Sequence, residues 1–222
     1  VQVRLIMIPT ITMPRTLRSL RSLRSLSPIR SIHLVYMLIG AALGTGSWWI
    51  NGLVFQNLEV TSGINLIYWP HGIRVLVVLL FGLPGALGLT LAGFFVAPSI
   101  YPDQVWMTAL APFVSGLAPY AARRVILSEL TSESPHLERL SPKSLISLVT
   151  LSALFNAGGH TVLRIASDFG ENHPAEFCAM LAGDLLGALT LLFGLRLLLL
   201  AWDKLTRSDR EAQPEHKTNQ HE

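Results

Sequence analysis

The sequence predicts an all-α, polytopic membrane protein of about six transmembrane helices with both termini in the cytoplasm. Three observations carry that expectation. Of the 222 residues, 50% are hydrophobic and only 14% are charged, against roughly a quarter charged in an ordinary soluble domain. Apolar segments follow one another from about residue 33 to residue 201 with no interval long enough to fold as a soluble domain. The basic residues gather in alternate connections between those segments, which is how cytoplasmic loops are marked.

A spanning helix needs about 20 mainly apolar residues. The stretches that qualify are 33–54, 64–100, 105–122, 145–163 and 177–201. The second is too long for one span, and Gly82-Leu83-Pro84-Gly85 interrupts it with the residues that a tight turn between antiparallel helices requires. It therefore divides into 64–82 and 83–100. Charge leads to the same count. With six spans and an internal N-terminus, the cytoplasmic segments hold Arg4, Arg15, Arg18, Arg21, Arg24 and Arg30, then Arg123, Arg124, Arg139 and Lys143, then Lys204, Arg207, Arg210 and Lys217, which is fourteen of the 17 lysines and arginines. The external side keeps Arg164 beside Glu59, Asp103, Asp168, Glu171 and Glu176. Trp48, Trp49, Tyr68, Trp69, Tyr101 and Trp106 fall near the external boundary as an interfacial aromatic belt.

Outside the spans, residues 1–32 read as a basic, poorly ordered segment with six arginines and no acidic residue. A surface-lying helix on anionic lipid and untranslated sequence upstream of Met13 are the alternatives. Residues 202–222 form a polar cytoplasmic tail. Cys178, the single cysteine, has no internal partner for a disulfide and falls in an apolar run where a small buried residue is expected. The net charge of +3 resides in segments flanking the spans rather than on one face, so the bilayer is the expected partner and nucleic acid is not.

Ionisable groups within spans are costly and face the bundle interior. They are His71, Arg74, His160, Asp184 and Arg196. His71, Arg74, Asn156, His160 and Asp184 come from three helices and share a depth of roughly 5–15 Å below the external boundary, counting about 1.5 Å of rise per residue. Ser152, Asn156, His160 and Arg164 recur every four residues, which stacks them on one helix face. Asp184 sits among Ala179, Gly183 and Gly187, a series of small residues that lets a neighbouring backbone approach closely. In the second span, Pro70 removes a backbone donor and Gly72 loosens the next turn, so a helix break or re-entrant entry is expected there. This cluster reads as a ligand or ion site or as an Arg74–Asp184 pair that neutralises two buried charges. His71, His160 and Asp184 lack the local spacing of a metal site, and no metal is expected. Arg196, near the internal end, is expected to snorkel to the headgroups.

No Walker loop, Gly-x-Ser-x-Gly elbow or His-Glu-x-x-His is present, and Asn156-Ala157-Gly158-Gly159-His160 lacks the spacing of a dinucleotide loop. Neither enzymatic activity nor a cofactor is expected.

Trp69-Pro70-His71-Gly72-Ile73, followed by Leu79-Leu80-Phe81-Gly82-Leu83-Pro84-Gly85, resembles the Trp-x-Pro-x-Gly-Ile, Leu-Leu-Phe-Gly, Pro-Gly pattern of the bacterial membrane-associated sensor domain, first family. Gly183-Asp184-Leu185-Leu186-Gly187 is similar to that family's Gly-Asp-x-Leu-Gly helix. The resemblance implies a sensor of the bacterial cytoplasmic membrane. Two departures qualify it: the family has about eight spans feeding a cytoplasmic output domain, and His71 and Arg74 stand where its pattern is small or apolar. A stand-alone sensor or ligand-recognition module, signalling through a separate partner, is the leading expectation. A small transporter, or the membrane substrate-binding subunit of one, is the alternative, and an accessory subunit of a larger complex is the third.

The six-span topology places the loop around Glu133 in the cytoplasm. A cysteine at that position is expected to resist an impermeant thiol reagent applied to intact cells; labelling from outside would overturn the topology, because the basic asymmetry rests on this loop.

Overall fold

The computed structural model describes residues 28–128 and 141–212. The basic segment as far as residue 27, the loop residues Glu133 and Arg139 and the end of the polar tail, Lys217 included, lie outside the described residues. The chain divides into two units, Val1–Val35 and Tyr36–Glu222; of the first only the opening turns of a helix are described, and the second holds all that follows.

The order of elements is α1 (Pro28–Phe55), a 3-10 turn (Gln56–Leu58), strands β1 (Glu59–Thr61) and β2 (Ile64–Asn65), then α2 (Trp69–Ile100), α3 (Val105–Ser128), α4 (Pro142–Ala166) and α5 (His173–Ala212). Among the described residues, five helices are long and apolar enough to cross a membrane, which makes the chain a multi-pass helical membrane protein. Their outward faces are apolar, with Leu53, Phe95, Val162, Phe193 and Leu198 each more than half exposed, as lipid-facing positions are.

Helix α2 is not one straight rod. At about 1.5 Å per residue its length would reach about 48 Å, well beyond a hydrocarbon core of about 30 Å. Gly82, with φ 60° and ψ −135°, leaves helical geometry, a conformation open to glycine and strained for other residues. The chain reverses there. Tyr36 of α1 stacks on Phe81 with ring centres 4.9 Å apart, and Phe55 meets Trp69 at 4.9 Å, so α1 runs antiparallel to the limb 69–81. It runs parallel to the limb 83–100: a Cβ on Gly40 would lie 2.9 Å from the Gly85 carbonyl, and one on Gly44 2.8 Å from the Ala92 methyl. Both limbs end beside the β hairpin, where Asn51 Oδ1 accepts from the Trp69 amide at 3.0 Å and the Ser62 hydroxyl donates to the Ile100 carbonyl at 3.0 Å. At the opposite end a Cβ on Gly82 would sit 3.5 Å from Arg123 Nη1.

The expected helix over 64–82 begins five residues late. Ile64 and Asn65 pair antiparallel with Thr61 and Glu59, and the chain stays non-helical through Tyr68. Pro70 therefore does not break a helix; it occupies the first turn, where its missing N–H has no intrahelical partner to lose. Gly72 likewise is no break. A Cβ there would come within 3.0 Å of Ala188 Cα and 2.8 Å of a Leu191 methyl, so its role is close packing of α2 on α5.

Gly183 and Gly187 of α5 do admit a neighbouring backbone, and that backbone is the extended segment rather than a helix. A Cβ on Gly183 would collide with the Asn65 carbonyl oxygen, and one on Gly187 with the backbone of Tyr68. The Tyr68 amide donates to the Gly183 carbonyl at 3.0 Å. Ala179 is partly buried and packs against the cluster of Ile64, Ala157 and Met180. Gly183 lies about 15 Å of helical rise from the start of α5, so irregular backbone packs along α5 well beyond its first turns, its flank covered by protein.

Two further expectations change. Cys178 is exposed rather than buried, because its neighbours Phe177 and Ala179 take the inward positions. Of the aromatic belt, Trp49 and Trp106 are exposed at 63% and 69%, whereas Tyr101 is buried at 4% and Tyr68 turns inward. Arg196 is exposed on α5.

Alanine in place of an interior helical glycine gains about 1 kcal/mol of propensity. Gly158, whose Cβ would meet nothing within 4 Å, is therefore expected to give a higher melting midpoint in detergent on Gly158→Ala. Gly183→Ala is expected to lower it, losing about 1–3 kcal/mol to overpacking against Asn65. Equal midpoints for the two variants would mean that the extended segment does not rest on α5.

Candidate functional site

The site is built on the four-residue stripe of α4. Ser152, Asn156, His160 and Arg164 are exposed by 0%, 3%, 6% and 1%, so the periodicity does mark one buried polar face. Its members reach different partners. Asn156 Nδ2 donates to Asp184 Oδ2 of α5 at 2.7 Å, a short, charge-assisted bond. His160 Nε2 lies 2.9 Å from Ser115 Oγ of α3. Arg164 Nε donates to Glu176 Oε2 at 3.0 Å, its Nη1 donates to the Ser62 carbonyl at 3.3 Å, and its guanidinium lies 4.6 Å from the centre of the Phe169 ring.

Asp184, 1% exposed, also faces His71, whose Nδ1 is 3.4 Å from the same Oδ2. His71 is wholly buried, held there because the extended segment sets the start of α2 against α5. The expected Arg74–Asp184 pair is replaced by other contacts. Arg74 Nη2 donates to the Tyr68 hydroxyl at 3.1 Å, and its guanidinium lies 5.2 Å from that ring's centre. Among the described residues the arginine–carboxylate ion pair within 4.0 Å is Arg164–Glu176, while His71 and His173 each bring a ring nitrogen within 3.4 Å of a carboxylate, Asp184 and Glu176 respectively.

Arg74, Asn156, His160 and Asp184 all line one cavity of about 60 Å³, and Asn65, Tyr68, Tyr101 and Ser115 complete its polar wall. His71 stands behind Asp184 and outside the lining. Leu89, Ala92, Val96, Ala97, Pro112 and Met180 form the apolar wall. At about 10–15 Å³ per water-sized probe, this space holds a few water molecules or one very small solute. Asn156 Oδ1 and His160 Nδ1 are buried without a hydrogen-bond partner in the protein, although such groups are nearly always satisfied. Burial pushes the Tyr101 phenol up to about 12, so it enters the wall as a neutral hydroxyl.

Above the cavity, Tyr101 meets Phe169 edge-on at 5.6 Å, and Arg164 ties that loop to the β hairpin and to the start of α5. Arg164 and Glu176, expected on the external side, are buried against each other as a structural clamp. Ser115 and Asn65 were passed over because a lone Ser or Asn within an apolar stretch carries no pattern. Tyr68 carries the sequence signal of a belt residue, and only the inward turn of its segment reveals it.

Comparison with models of known protein families, with curated proteins and with solved structures yields no match.

Asp184→Asn removes the charge from the Asn156 bond and is expected to lower stability by about 1.5–3 kcal/mol, the range for a hydrogen bond to a charged group. Because Tyr68 holds Arg74, adding Arg74→Met is expected to recover none of the loss in thermal melts. Substantial recovery would indicate a direct ion pair between the two charges.

Proposed function

We propose that this chain is an integral membrane ligand-recognition module of the bacterial cytoplasmic membrane, with six passes and both termini inside, that signals through a separate partner. The observation that carries the reading is the buried polar cavity, in which Arg74, Asn156, His160 and Asp184 converge beside non-helical backbone. Discontinuous elements at membrane depth are how helical membrane proteins expose backbone and charge to a ligand. Unpartnered polar atoms on Asn156 and His160 are what a binding wall presents.

The reversal at Gly82 supports six passes, since it turns α2 into two limbs with both outer ends at the β hairpin. Arg123 beside that turn supports a cytoplasmic position for it, and the cavity then lies nearer the external side. Kinship with the membrane-associated sensor domain, first family, is part of this proposal, and the two regions that carry the resemblance lie against each other. They meet through Gly187 against Tyr68, His71 against Asp184, and the Trp69 indole N–H donating to Thr190 Oγ1 at 3.1 Å.

The re-entrant segment also favours a second reading, a small transporter. Protein reconstituted in nanodiscs, screened by thermal shift against small polar solutes, is expected to be stabilised by at least one, and proteoliposomes are expected not to accumulate it. Accumulation would convert the reading to transport. A screen in which no solute stabilises the protein would remove recognition altogether.

A further inference from the structure

Resting on that recognition reading, we propose that the cavity takes a small zwitterion of amino-acid type, its carboxylate on Arg74 and its ammonium group on Asp184 and Asn156. A guanidinium carries five N–H donors in a fork matched to a carboxylate. The structure gives Arg74 one hydrogen bond, to Tyr68, while the residue lines the cavity. A cation so placed at membrane depth calls for a counter-charge. The same cavity is bordered by acceptor-bearing residues, Asp184 with its carboxylate and Asn156 with Oδ1, both at least 97% buried, the latter atom without a partner in the protein.

The two charges do not close on each other. Among the described residues Arg74 and Asp184 form no pair within 4.0 Å, yet they border one small space. A molecule with both charges on adjacent atoms satisfies both groups at once, where a lone anion or cation leaves one of them unmet. Size narrows the class further. About 60 Å³, at about 10–15 Å³ for each water-sized probe, fits a molecule of about four to six heavy atoms, the size of glycine or alanine.

Calorimetric titration of the full chain in nanodiscs with glycine, alanine, leucine, propionate and ethylammonium tests this. Glycine or alanine is expected to bind, and propionate, ethylammonium and leucine to bind about ten- to hundredfold more weakly, the loss of one charge-assisted contact. Arg74→Gln is expected to weaken alanine by a similar factor while leaving ethylammonium unchanged, and Asp184→Asn to weaken alanine while leaving propionate unchanged. The comparison among solutes on the unaltered chain stands even where a variant fails to fold. Propionate or ethylammonium binding as tightly as alanine would refute the zwitterion and leave recognition intact. Failure of glycine and alanine alone, while another solute stabilises the protein, has the same meaning. Failure of every solute removes both readings.

Discussion

Backbone polar groups at membrane depth must be satisfied inside the protein, because lipid offers them nothing. In this chain the segment between β2 and α2 would violate that rule but for two missing side chains. Gly183 and Gly187 leave the surface of α5 bare where Asn65 and Tyr68 lie against it, and the Tyr68 amide then donates to the Gly183 carbonyl. From this one docking the site follows. Helix α2 starts at Trp69 rather than at Ile64, which brings His71 to Asp184 and turns Tyr68 inward to Arg74.

The periodic features of this arrangement were legible in the sequence, and the non-periodic ones were not. The α4 stripe repeats every turn, so its burial followed from spacing. The reversal at Gly82 followed from Gly and Pro clustering in an overlong apolar stretch. The small-residue series on α5 announced a close neighbour but not its conformation. Ile64, Leu66 and Ile67 are as apolar as any span, and hydropathy records burial rather than backbone geometry, so an extended segment was read as helix. Pro70 is a breaker within a helix and a starter at its first turn; the choice depended on where the helix began. Pairing within the cluster was invisible for another reason. Opposite charges at one depth suggest each other, but the fold turns the Tyr68 hydroxyl, not Asp184, to Arg74, and only coordinates show that.

Two polar groups share the upper part of the bundle and serve different ends. Arg164 and Glu176 are satisfied by each other, with Ser62, Phe169 and the Glu171 amide around them, which fixes the β hairpin and the loop before α5 as a roof. Below, the cavity residues retain unused hydrogen-bonding capacity. A closed network above an open one is the arrangement that the proposed recognition reading requires. The hairpin belongs to both, since Ser62 joins the clamp while Gly63, Ile64 and Asn65 line the cavity.

The account stands or falls on the extended segment lying against α5. Solid-state NMR of the protein in bilayers, with tyrosine amide nitrogen and glycine carbonyl carbon labelled, measures that contact through the backbone. No tyrosine directly follows a glycine in the sequence, and Tyr120→Phe removes the one tyrosine that α3 places four residues after a glycine. The Tyr68 amide, 3.0 Å from the Gly183 carbonyl oxygen, is then expected to give strong nitrogen–carbon dipolar dephasing. Absence of dephasing would contradict the docking, and with it the cavity that the docking shapes.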